Sequence, residues 1–153
     1  FEEYKDPIGI KRSKILGLHL HPISIHFPQA ITGLIVFFLL LSFTPMNLYI
    51  KAAACMSYLT YLLPLSVIAS VVTGLFDGKI RFRKLKAPYL KRKILLAIIL
   101  LIISAAMPLL QHIHIEFKTL KIVLLILSVM AMIIQMALGM IGIKLLYAIL
   151  PGK

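Results

Sequence analysis

Five histidines, His19, His21, His26, His112 and His114, are the residues of this chain most suited to chemistry. Three of them fall together at His19-Leu20-His21-Pro22-Ile23-Ser24-Ile25-His26-Phe27-Pro28-Gln29-Ala30, where a long apolar run begins. An imidazole titrates near neutrality, ligates metals and relays protons. Ionisable groups at a membrane boundary are costly unless something uses them. Asp77 closes the second apolar run and is the one acid expected at the same depth as His26. A His26–Asp77 pair would fix the imidazole tautomer for a metal, relay a proton to a quinone, or serve as a plain structural hydrogen bond. The candidate cofactor-binding residues are therefore His26, His21, Asp77, His19 and Gln29, with His26 and His21 as candidate metal ligands. No catalytic residue is assigned.

A b-type haem needs two axial ligands on opposite faces of the ring. His112 and His114 lie at the other end of the membrane spans, some 25–30 Å from the first three histidines, and cannot share an iron with them. His21 and His26 are too close in the chain to reach both faces of one porphyrin readily, which leaves a haem shared across a homodimer axis or ligated from another subunit. His112-Ile113-His114 offers two ligands at most and reads as loop polarity. Met132, Met136 and Met140 share a helical face and read as packing residues. Cys55 is the only cysteine, so the chain by itself supplies no disulfide framework, zinc knuckle or iron–sulfur cluster.

These residues must be positioned by membrane helices. With 61% hydrophobic and 14% charged residues, and a mean hydropathy of +1.00, the chain lies far outside soluble globular composition. Four apolar runs predict an all-α integral membrane bundle with helices over Ile23–Phe43, Ala52–Phe76, Ile94–Leu110 and Ile122–Ile143. Pro28 is tolerated in a first turn, where the N–H it lacks has no partner. Residues 1–17 are polar, broken by Asp6-Pro7 and basic at Lys11, Arg12 and Lys14, and read as a linker ahead of a membrane domain over 18–153. Because the first residue is Phe1, the linker is expected to continue from a preceding segment.

The net charge of +12 is gathered in blocks between the apolar runs, which points to membrane orientation and anionic lipid rather than nucleic acid. Lys79–Lys93 alone holds eight cations and no acid. Four spans put this segment and both termini on one side, with fourteen of the seventeen Lys and Arg, so both ends are expected to face the cytoplasm of a prokaryotic cell. Helical spacing places Ser66, Ser70, Thr73 and Asp77 on one stripe of the second helix. His26, Gln29 and Gly33 form a stripe on the first helix, and Ser128, Gln135, Gly139 and Gly142 one on the fourth. Such faces should meet protein rather than lipid.

His21-Pro22-Ile23-Ser24-Ile25-His26-Phe27-Pro28-Gln29-Ala30, followed some 45 residues on by Thr73-Gly74, resembles a family of uncharacterised four-helix membrane domains with an HPxxxHFPxA signature. The likeness is strongest to the branch found behind a rubredoxin domain, whose acidic, Phe-containing tail is similar to Phe1-Glu2-Glu3-Tyr4. The resemblance covers residues 18 to about 95 well and the fourth helix loosely. It implies electron transfer near the cytoplasmic face, with a rubredoxin iron carried by a preceding domain, and the imidazole cluster and the Asp77 stripe at one depth add the expectation of a quinone or haem b pocket at His26 and Asp77. The expected role is that of a subunit or domain of a membrane oxidoreductase, partnered by redox subunits or a second copy of itself. The alternative is a non-catalytic structural subunit of a larger respiratory-type complex, its polar stripes binding only neighbouring helices.

Overall fold

The computed structural model describes residues 20–43, 49–82, 88–114 and 116–149. They form four helices and, among the described residues, no strand: α1 Leu20–Leu41, α2 Tyr49–Phe82, α3 Pro88–Leu110 and α4 Phe117–Ile149. All four are long and apolar enough to cross a membrane. Hydrocarbon offers no partner for a backbone amide, so an apolar chain in lipid satisfies its N–H and C=O groups within each helix. The helices form a ring in sequence order, each packed on its two neighbours, and the diagonal pairs α1/α3 and α2/α4 barely touch. Contacts such as Ser24–Thr73 and Tyr61–His112 fix the alternating directions of the chain. The start of α1 lies with the ends of α2 and α4 and the start of α3.

The helices outrun the apolar spans. α2 continues to Phe82 and α3 begins at Pro88, so much of the expected Lys79–Lys93 loop is helical. Lys and Arg are good helix formers, and proline is suited to a first helical position. α1 begins at Leu20, which draws His21 into its first turn. α4 begins at Phe117, before the Ile122 expected from hydropathy.

Each helix turns an inward stripe to the ring at alternating steps of three and four residues. On α1 it runs Pro28, Thr32, Ile35 and Leu39, and Ser42 in the turn just past the helix continues it, all buried. On α3 it runs Leu90, Lys93, Ala97, Leu100, Ser104 and Met107, and on α4 Leu124, Ser128, Ala131 and Gln135 are buried. The apolar core gathers Ile35, Leu39, Leu63, Val67, Met107 and Leu124 toward the middle and the His112 end of the bundle. Outward positions such as Phe37, Leu65, Ile102 and Ile133 are exposed and wholly apolar, as a lipid-facing belt requires.

Pro28 shows how the backbone account closes. Having no N–H, it leaves the carbonyl of Ser24, four residues earlier, without its helical partner. The Ser70 hydroxyl of α2 donates to that oxygen at 2.7 Å. The broken helical bond is thereby exchanged for a bond between helices, in the pair α1/α2 that packs most extensively.

Candidate functional site

At the His21 end the four helices border a half-open cavity of about 500 Å³, a size common for small-molecule sites. Small residues make the room. Gly74 and Gly78 of α2, Ala97 of α3 and Gly139 and Gly142 of α4 all line it. A Cβ built on Gly139 would meet nothing within 4 Å, so this glycine borders open space. Along α3 the lining runs from Leu90 to Leu101, a depth of about 16 Å at the helical rise. Ile25, Val67, Leu100, Leu101 and Leu138 give apolar walls, and Ser70 and Gln135 are polar points along them.

His21 and Lys93 meet across the diagonal of the ring at one end of this cavity. Lys93 Nζ lies 3.3 Å from His21 Nε2, although their helices barely touch as backbones. One glycine permits the approach. A Cβ on Gly74 would come within 2.8 Å of His21 Cε1, whereas one on Gly142, 3.8 Å from Lys93 Nζ, would make only ordinary contact. An ammonium only donates, so with Lys93 charged Nε2 would accept, and a neutral imidazole would then carry its proton on the buried Nδ1. Asp77 lines the same cavity, which therefore holds an imidazole, an ammonium and a carboxylate together.

The first turns of α1 are pinned to α2 by hydroxyls. Ser24 Oγ and Thr73 Oγ1 are 2.6 Å apart, and Ser24 Oγ also donates to the His21 carbonyl at 2.9 Å. Thr73 immediately precedes Gly74, so the same contact that holds the helices together sets His21 against the glycine. Deeper in, Gln135 Nε2 donates to Thr32 Oγ1 at 3.0 Å and reaches the Pro28 carbonyl at 3.4 Å, tying α4 to α1.

Of the residues singled out from sequence, His21, Asp77 and Gln29 line the cavity. His26 does not. It is exposed on α1, and the expected His26–Asp77 pairing is replaced by His21 at the end of the cavity that Asp77 lines. The reason is angular, since five residues advance the helix by about 140° beyond a full turn, so His21 and His26 cannot both face inward. His19 lies outside the described residues. Ser70, Thr73 and Asp77 occupy the half-buried, protein-facing stripe that their spacing predicts. On α4 the stripe from Ser128 to Gly142 also faces inward.

The donor set does not fit a haem held within one chain. His21 is the only histidine lining the cavity among the described residues, its Nε2 faces Lys93, and Gly74 lies against its ring. Nor do the described residues hold any group of three or more His, Cys, Asp or Glu able to bind a metal, so the reading of His26 and His21 as a ligand pair has no third side chain to join. His112 accompanies Tyr61 at the opposite end, with Nε2 2.6 Å from the phenol oxygen, and His114 is exposed. Lys93 is the cavity-lining residue that sequence reading left among the basic block, and counting in threes and fours back from Leu100 through Ala97 puts it on the inner face. No protein-family model, curated protein or solved structure matches this chain.

Proposed function

We propose that this chain is a membrane electron-transfer module that binds a quinone in the cavity at the His21 end, on the cytoplasmic side of a prokaryotic membrane. The observation that carries the reading is the cavity itself, about 500 Å³, with an imidazole, an ammonium and a carboxylate at one end and hydrocarbon walls beyond. A quinone has this same division, a ring with two hydrogen-bond-accepting carbonyls and an apolar tail. Reduction of a quinone to a quinol consumes two electrons and two protons. The electrons would come from a soluble one-electron carrier of the rubredoxin class. His21 and Lys93, in contact at 3.3 Å, are the groups to hand a proton to the ring oxygen and take another from water. The excess of Lys and Arg at this end supports the cytoplasmic placement and would attract an acidic carrier.

Photolabelling tests the reading. With the protein in lipid nanodiscs, an azidoquinone should label cavity residues between His21 and Gly142, in competition with unmodified quinone. Labelling confined to the lipid-facing side chains, insensitive to competitor, would exclude a quinone site here.

A further inference from the structure

Gln111, just past α3, and Gln135 of α4 each turn an amide into the bundle, and they use it differently. Gln111 engages both ends, its Oε1 accepting from Ser57 at 2.7 Å and its Nε2 donating to Thr60. Gln135 bonds through nitrogen alone, to Thr32 Oγ1 at 3.0 Å and the Pro28 carbonyl at 3.4 Å. Chemistry sets that orientation, because a carbonyl only accepts and the amide must turn its N–H groups to it. Thr32 gives its own proton to the Pro28 carbonyl at 2.7 Å, so it accepts from Gln135. The Gln135 oxygen is thereby turned away from these partners, and among the described residues no group donates to it. Gln135 is 6% exposed and lines the cavity, so this oxygen is an acceptor reached from the cavity rather than sealed in the packing. Around it stand Val67, Leu100, Leu101 and Leu138. Ser70, the other polar point on these walls, has its proton committed to the Ser24 and Ser66 carbonyls. An amide oxygen left without a donor away from water is costly. The tie to α1 accounts for the nitrogen and leaves the oxygen for a donor inside the cavity.

We propose that Gln135 Oε1 is the acceptor, deep in the cavity, for a hydroxyl of the ligand, and that it makes the site selective for the quinol over the quinone of one couple. This deepens the proposed function and rests on it for the identity of the ligand. A quinone carbonyl only accepts, so against Gln135 Oε1 it brings two acceptors together. The quinol hydroxyl donates and closes a hydrogen bond among hydrocarbon walls, where such a bond is strongest. The selection needs no charge and no donor from the protein. From His21 to Pro28, on whose carbonyl Gln135 is anchored, α1 advances seven residues, about 10 Å. A ring whose hydroxyl meets Gln135 at that depth keeps its opposite oxygen toward the His21 end. The preference has a redox consequence. Holding the quinol tenfold more tightly raises the midpoint potential of the bound two-electron couple by about 30 mV, so the bound quinone is easier to reduce than the free one.

The test uses the full chain in nanodiscs, without oxygen, and two matched ligand pairs. The first is a short-tailed 1,4-naphthoquinol against its own quinone; the second is 4-octylphenol against 4-octylanisole, which lacks the hydroxyl proton. Wild type should favour the hydroxyl compound of each pair by about tenfold, the scale of one hydrogen bond away from water. Gln135→Met, similar in length but without the carbonyl, should erase both preferences while quinone affinity holds, and Gln135→Glu, which keeps an acceptor oxygen, should retain part of them. A residue that only ties α4 to α1 would weaken all four ligands together, so unchanged ratios in Gln135→Met overturn the proposal. Should Gln135→Met lose its helical fold, infrared difference spectra of wild type with carbon-13 in the glutamine amides decide. Quinol should lower the frequency of a glutamine carbonyl and quinone should not; no shift with quinol overturns the assignment. If wild type binds quinol and quinone equally, the acceptor assignment falls and the quinone reading stands. If it binds neither, but favours octylphenol through Gln135, the quinone reading falls and the acceptor assignment stands. If it binds none of the four, both fall.

Discussion

The two ends of this bundle use polar side chains in opposite ways. At the His112 end, Gln111 accepts from Ser57 at 2.7 Å and donates to Thr60, and Tyr61 meets His112 at 2.6 Å. Lys121 of α4 donates to the Ser42 carbonyl at 3.1 Å and sits 4.4 Å from the Phe117 ring centre. These groups bond to one another above the packed core of Leu39, Met56 and Met107. At the His21 end the polar groups stand beside glycines, and a cavity opens where the other end has Leu and Met. Polar residues in a membrane bundle are therefore glue when large neighbours fill the space around them, and a site when small neighbours leave it open.

Filling the space should have the largest effect. Gly139→Leu places a side chain where a Cβ meets nothing within 4 Å, so quinone binding in nanodiscs should fall about 100-fold or more while the helical circular dichroism and melting temperature hold or rise. Gly74→Ala comes next. Its methyl would lie 2.8 Å from His21 Cε1, and the ring must swing away from Lys93, with a loss of about tenfold in quinone binding. Because alanine is the better helix former by about 1 kcal/mol, stability should change little despite the displaced ring. At the opposite end, Gln111→Leu should leave binding untouched and cost about 1 kcal/mol in unfolding free energy, the scale of a polar link between membrane helices. The smallest effect is expected for His26→Ala, with binding and stability both near wild type, whereas His21→Ala should lose about tenfold in quinone binding. Equal effects for the two histidines would show that the inward face of α1 has been misassigned.

Much of this division is written in the sequence, although not where the residue types draw the eye. The stripe Ser70, Thr73, Asp77 was legible because its polar members and its inward register coincide. On α1 they do not. His26, Gln29 and Gly33 form a stripe by type, but the inward positions are Pro28, Thr32 and Ile35, and only the apolar partners on other helices decide between the two phases. Lys93 was hidden by its company, since one inward lysine among eight cations looks like part of a topogenic charge run. The cavity had no residue of its own to announce it. It arises from Gly74, Gly78, Ala97, Gly139 and Gly142 converging from three helices, a coincidence that belongs to the packing rather than to any one segment. The proline bond shows the same limit: Pro28 predicts a freed carbonyl at Ser24, but that Ser70 takes it follows only from the register of α1 on α2.

The central claim is that the His21 end holds a quinone and that the space beside Gly139 admits it. The most direct measurement extracts and quantifies quinone from wild type and Gly139→Leu, both purified from quinone-containing membranes into nanodiscs. Wild type should retain about one quinone per chain above the content of the bulk lipid, the stoichiometry of a single cavity, and Gly139→Leu should retain none. Equal quinone in the two proteins, or no enrichment in wild type, would contradict the account.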